Sequence, residues 1–158
     1  MDLIRCVRSE RWKYIRNGFP SRPWLQPNLY KDGKAIVQAM RRLHAEGKLD
    51  AAQSAIMADT RPQEELYDLE ADPHELTNLA ADPAHAAVRT EMRAALDEWR
   101  RRTGDPGKPE TEEVYRAETG TTHAEGGRQA DNPQFGRNVE LMLRWLKEKP
   151  LEETLRVP

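Results

Sequence analysis

Leu3-Ile4-Arg5-Cys6-Val7-Arg8, then Ser9-Glu10, then Arg11-Trp12-Lys13-Tyr14-Ile15 is the stretch that decides the fold. The two flanking runs are rich in β-formers, and the polar pair between them reads as a turn, so a β-hairpin is expected. With Ser9 and Glu10 as the turn, Val7 opposes Trp12 and Arg5 opposes Tyr14, and that face packs as cross-strand pairs. Cys6 lies inside the apolar run and reads as a small buried hydrophobe. It is the single cysteine, which excludes an internal disulfide.

Working outward, residues 18–33 carry Pro20, Pro23 and Pro27 among Phe19, Trp24, Leu25 and Tyr30, a long irregular loop with apolar anchors. Helical spacing appears at Ile36, Val37, Met40 and Leu43, ending near Gly47, and a short second helix is expected from Leu49 to Met57. Glu65-Leu66-Tyr67-Asp68-Leu69 reads as a further strand, and Asp72-Pro73-His74-Glu75 as a turn. Asp82 then caps a helix with Pro83 in its first turn, and Arg100, Arg101, Arg102 and Gly104 end it. Its apolar stripe is Val88, Met92, Ala95, Leu96 and Trp99, with Trp99 and Met92 expected to hold it against the sheet. Beyond Gly104 the chain turns rich in Gly, Pro, Glu and Thr, and an extended tail is expected. Val139, Met142, Leu143 and Leu146 restore helical spacing before Pro150. The fold class is therefore α+β: a small antiparallel sheet with a packed C-terminal helix over 1–105, and an extended tail over 106–158 that ends in a short helix over 138–148.

Charge narrows the partners. The 25 Lys and Arg nearly balance the 27 Asp and Glu, so no global field draws the chain to nucleic acid or to an anionic membrane surface. Arg8, Arg11, Trp12, Lys13 and Tyr14 interleave cations with aromatics, but no second basic patch supports them as a nucleic-acid surface. No stretch approaches the roughly 20 apolar residues that span a bilayer, and the opening Met-Asp-Leu-Ile-Arg has no signal-peptide character, so no compartment is assigned. With 37% hydrophobic and 33% charged residues, a small core is expected.

Two stretches, Val7-Arg8-Ser9-Glu10-Arg11-Trp12-Lys13-Tyr14-Ile15 and Glu65-Leu66-Tyr67-Asp68-Leu69-Glu70-Ala71-Asp72-Pro73-His74-Glu75-Leu76-Thr77-Asn78-Leu79, resemble in order and spacing the C-terminal region of the sulfatase family. The Trp-bearing helix Leu96-Asp97-Glu98-Trp99 and Thr103-Gly104-Asp105 continue the match, which covers roughly Arg5 to Asp105. The Asp-Pro-His-Glu turn is similar to that of heparan N-sulfatase (sulfamidase)-like members. The resemblance implies a non-catalytic C-terminal subdomain that packs on an N-terminal sulfatase catalytic domain, where calcium and a formylglycine would reside, in a parent that hydrolyses a sulfuric ester or a sulfamate. It also implies a sulfated saccharide as the parent's substrate and leaves room for a homo-oligomer formed through the parent.

The catalytic motif of that family, Cys/Ser-x-Pro-x-Arg, is absent. Cys6-Val7-Arg8 lacks the proline, and Ser21-Arg22-Pro23-Trp24-Leu25 has Leu25 where the arginine is required. No cofactor is therefore expected in this chain, and it is expected to be inactive alone. Asp131-Asn132 is similar to the family's metal pair but reads as a turn in the tail. His44, His74, His85 and His123 are too dispersed for a zinc site. Glu64-Glu65 and Glu112-Glu113 are adjacent, so their carboxylates point apart and read as solvated surface. The candidate substrate-facing residues are Arg22, Trp24, Tyr30 and Lys31, whose cationic and aromatic groups suit a sulfated sugar. The rival reading is a stand-alone carbohydrate- or protein-binding module that uses Trp12, Trp24 and Tyr30.

Overall fold

The structure is a computed structural model that describes residues 2–105, 113, 133–145, 147–148 and 151. The chain divides into two compact units, each continuous in space but not in sequence. The sheet unit contains Asp2–Ser21, residues 61–105 and Leu151; the helical unit contains Arg22–Thr60 and residues 133–148. The helical unit thus draws on residues from both sides of position 105.

β1 (Ile4–Arg8), β2 (Trp12–Asn17) and β3 (Glu64–Asp68) form an antiparallel sheet in the order β1-β2-β3. The expected α+β class is observed. The hairpin register is not the expected one: Val7 lies opposite Tyr14 and Arg5 opposite Arg16. Ser9 N–H donates to the Trp12 carbonyl at 2.8 Å, and Ser9 Oγ accepts from Trp12 N–H at 2.9 Å. Ser9 and Trp12 thus close the turn, and Glu10-Arg11 are its central residues. A one-residue shift of the turn moves the register by two, so each side chain keeps its expected face.

On one face Val7, Trp12, Tyr14 and Leu66 meet the long helix. The core is Tyr14, Leu66, Ala80, Met92 and Leu96, with Val7, Trp12, Leu79 and Val88 packed against it. Asp82 accepts from Ala84 N–H at 2.9 Å and starts a 3-10 turn, Pro83–His85, which leads into the 18-residue helix Ala86–Thr103. Gly104 ends the helix at φ 67°, a left-handed conformation that favours glycine. Met92 and Leu96, one helical turn apart, are the buried residues of its stripe. Trp99 is corrected: its ring is 44% exposed and Leu96, at 1%, holds the helix down. Ala95 is likewise exposed.

Polar groups tie the same helix to the sheet. Glu64 accepts from both Arg93 Nε at 2.8 Å and Arg93 Nη2 at 2.6 Å, and from the Tyr14 hydroxyl; Arg16 Nη1 donates to Asp97 at 2.6 Å. Burial alone would raise the Glu64 carboxyl, but the hydrogen bonds from Arg93 and Tyr14 outweigh it and hold the group below its ordinary range. A depressed folded-state pKa contributes stability above the unfolded value and loses it as pH falls through the folded one. Glu64→Gln is therefore expected to lower the melting temperature at neutral pH, and its stability curve should converge on the parent's as pH falls through and below the ordinary carboxylate range. Curves that stay parallel through that range would contradict the assignment.

Glu65 points to the other face, as adjacent strand residues must. It is not solvated: it is 2% exposed, lies opposite Ile15 of β2, and accepts from Asn17 Nδ2 and from the Tyr67 hydroxyl, each at 2.6 Å. Desolvation there pushes its carboxyl up. Gly18 lies against Leu3, whose Cβ and carbonyl would stand 2.9 and 3.0 Å from an added Cβ. Cys6 is also corrected: it belongs to the outer strand β1 and is exposed.

The helical unit holds α1 (Leu29–Asp32), α2 (Ala35–Ala45), α3 (Ala51–Met57) and Pro133–Trp145, while Ala86–Thr103 of the sheet unit is α4; Pro133–Trp145 is accordingly α5. α2 and α3 appear where the apolar spacing put them. α3 is fixed by a capping box in which Asp50 accepts from Gln53 N–H at 2.8 Å and Gln53 Oε1 accepts from Asp50 N–H at 3.1 Å. The terminal helix begins earlier than the 138–148 read from its apolar residues. Residues 106–112 and 114–132 of the expected tail lie outside the described residues. Among the described residues no helix is long and apolar enough to cross a membrane.

Candidate functional site

The candidate residues sit in the helical unit, where the chain from Arg22 to Gly33 runs into α1. A four-residue helix has little stability of its own, and its neighbours supply the rest. Asn28 Oδ1 accepts from Lys31 N–H at 3.0 Å, Asn28 N–H donates to Asp32 Oδ2 at 3.0 Å, and Asp32 N–H donates to the Asn28 carbonyl at 2.8 Å. The Asp32 carboxylate, 8% exposed, also accepts from Arg41 Nη2 of α2 and from Asn138 Nδ2 of α5, each at 2.7 Å. One buried carboxylate therefore braces α1 against two other helices. Charge-assisted bonds of this kind are stronger than neutral ones.

This brace presents Tyr30. Its ring is 74% exposed, and Lys34 Nζ lies 3.9 Å from the ring centroid. Lys31 is half-buried beside it, and Trp24 is half-buried in the preceding loop. Arg22 is elsewhere. Its side chain is 0% exposed, with Nε donating to Glu148 at 3.0 Å, Nη2 donating to the Trp145 carbonyl at 2.9 Å, and the guanidinium 5.0 Å from the Trp145 ring centroid. Its donors are turned inward, so Arg22 does not face solvent. Lys34 escaped the sequence reading although it follows Tyr30 by four residues, a spacing that places neighbours together where the chain is helical. Asn28 and Asp32 escaped it too, although asparagine is a common helix N-cap. The exposed aromatic and the lysines can stack on an apolar sugar face and attract an anionic substituent.

Among the described residues the other sequence candidates do not form a centre. Trp12 is half-buried, between the Arg11 guanidinium at 4.9 Å and an edge-on His85 ring at 5.6 Å, and packs on the core. His85 Nδ1 pairs with Asp82 at 3.0 Å and His74 is exposed in its turn. Among the described residues no group of three or more His, Cys, Asp or Glu side chains is arranged to hold a metal ion. Asp131-Asn132, Glu112 and His123 lie outside the described residues.

Comparison with known proteins gives the relation. Two proteins of Formosa agariphila, each named an ulvan-active sulfatase, are similar to this chain: one is 40% identical over 121 residues, the other 33% identical over 101. These alignments cover 76% and 64% of the chain. The chain is sulfatase-like in sequence. It spans about a fifth of the length of these relatives, 20% of one and 18% of the other. No family model matches the sulfatase-like chain.

Proposed function

We propose that this sulfatase-like chain is a non-catalytic subdomain of a sulfatase-type hydrolase, which stabilises the catalytic domain and lends residues to the substrate cleft. The observation that carries the reading is the 40% identity over 121 residues to a fifth of an ulvan-active sulfatase. The missing Cys/Ser-x-Pro-x-Arg motif supports it, since the residue that would become formylglycine has no counterpart here. The partner is then an N-terminal sulfatase catalytic domain, where the calcium and the formylglycine of the family would lie. Both relatives are named for ulvan, which favours a sulfuric ester of a saccharide over the sulfamate of sulfamidase-like members.

Trp24, Tyr30 and Lys31 are the proposed cleft residues, with Lys34 added from its place over the Tyr30 ring. The test is steady-state kinetics of the full polypeptide carrying Trp24→Ala or Tyr30→Ala, on ulvan oligosaccharides and on a small aryl sulfate. Remote sugar contacts contribute only where remote sugar exists, so kcat/KM is expected to fall about tenfold or more on the saccharide and to change little on the aryl sulfate. Equal losses on the two substrates would mean that these side chains serve packing instead.

A further inference from the structure

The candidate patch draws on two helices. Tyr30 belongs to α1 and Lys34 is the N-cap residue of α2, yet the Lys34 ammonium stands 3.9 Å from the Tyr30 ring centroid. Along the chain Lys34 N–H donates to the Lys31 carbonyl at 2.9 Å and Gln38 N–H to the Lys34 carbonyl at 3.1 Å, which fixes the turn between the helices. Across that turn the tie is Asp32. Its Oδ1 accepts from Arg41 Nη2 of α2 at 2.7 Å; its Oδ2 accepts from Asn138 Nδ2 of α5 at 2.7 Å and from Asn28 N–H at the start of α1 at 3.0 Å. All of these residues belong to the helical unit. Each carboxylate oxygen acts only as an acceptor toward them, so an amide at this position turns a donor toward a donor on one side or the other.

We propose that Asp32 is a positioning residue for saccharide selection: it holds Tyr30 and Lys34 in the relative placement that receives an anionic sugar, and it touches no substrate itself. This role rests on the reading of Tyr30 and Lys34 as cleft residues and goes beyond it by assigning what sets their geometry. A four-residue helix has little stability of its own. Left untied, the Tyr30 ring would have to be ordered as the sugar binds, and each side chain ordered on binding costs affinity. A carboxylate that is 8% exposed, with donors from three segments, does that ordering in advance. The sugar class follows from the pair: an apolar sugar face stacks on the aromatic ring, and a sulfate ester or carboxylate substituent meets the ammonium. A small substrate without remote sugar gains nothing from the arrangement.

Steady-state kinetics of the full polypeptide, on ulvan oligosaccharides and on a small aryl sulfate, tests the role. Asp32→Asn is expected to lower kcat/KM about fivefold or more on the oligosaccharides, mainly through KM, and to change it less than about twofold on the aryl sulfate. Added to Tyr30→Ala and Lys34→Ala together, Asp32→Asn should cost less than about twofold further, because a residue that acts through others has nothing left to place. Proton NMR of this chain gives a readout besides turnover: the Tyr30 ring shifts the Lys34 ε-methylene protons upfield, and Asp32→Asn should return them toward the ordinary lysine position. Arg41→Met removes one donor and keeps the carboxylate; it should move every readout the same way, and it decides the matter if Asp32→Asn does not fold. A selective loss in Tyr30→Ala with none in Asp32→Asn or Arg41→Met, a Lys34 shift that neither variant changes, or equal losses from Asp32→Asn on both substrates would overturn the positioning role and leave the cleft reading intact. If Tyr30→Ala itself did not distinguish the two substrates, the cleft reading would fall, and Asp32 would be a structural tie alone.

Discussion

Leu96→Ala is expected to destabilise the sheet unit by about 2–5 kcal/mol, the range for emptying a buried leucine site. Leu96 is 1% exposed and shares its cluster with Tyr14, Leu66, Ala80 and Met92. Tyr14 belongs to the central strand and is held by its hydroxyl on Glu64, so the cavity has a wall that cannot readily collapse. Trp99→Ala is the internal control. Its ring is larger, but at 44% exposure much of its apolar surface is already in water, and the loss should stay below about 1 kcal/mol. Urea unfolding of both variants measures the difference. If Trp99→Ala proved the more damaging of the two, the helix would be seated differently from the packing described above.

Arg22→Ala should be nearly as severe for the helical unit, on the order of 3 kcal/mol. Removing the guanidinium strips the Trp145 carbonyl and Glu148 of a partner and opens the space beside the Trp145 ring. A larger loss is not expected, because the Glu148 side chain is 35% exposed and water can reach its carboxylate. Arg22→Lys should recover only part of the loss, since an ammonium cannot supply the planar fork or stack on the ring. Thermal unfolding followed by circular dichroism checks both variants. Full recovery by lysine would show that charge alone holds the site.

Local chemistry made much of this fold legible. The strands around Val7 and Leu66 announced themselves by β-forming composition, and the capped helix by Asp82, Pro83 and Gly104. The turn was misplaced by one residue because Ser9-Glu10 and Glu10-Arg11 are equally polar, and neither pair carries the Asn-Gly signal that pins a two-residue turn. What the sequence could not convey was long-range pairing. Nothing near Arg22 foretells Glu148, and nothing near Asp32 foretells Asn138, so a cation suited to a ligand proved to be internal and an aspartate proved to brace the exposed Tyr30. Trp99 carried the opposite lesson: helical spacing put it on the buried stripe, but periodicity does not say where the covering sheet ends. Glu65 was misjudged for a related reason, since its alternation was read correctly while its partner Asn17, on the neighbouring strand, was not visible in the strand itself.

Sulfate release from ulvan tests the central claim most directly, measured for this chain alone and for an ulvan-active relative in which this chain replaces the matched segment. The account predicts no release by the chain alone and release by the folded chimaera at a rate comparable to that of the relative. Sulfate release by the chain alone, abolished by Ser21→Ala or Cys6→Ala, would place a catalytic centre inside this chain and contradict the account.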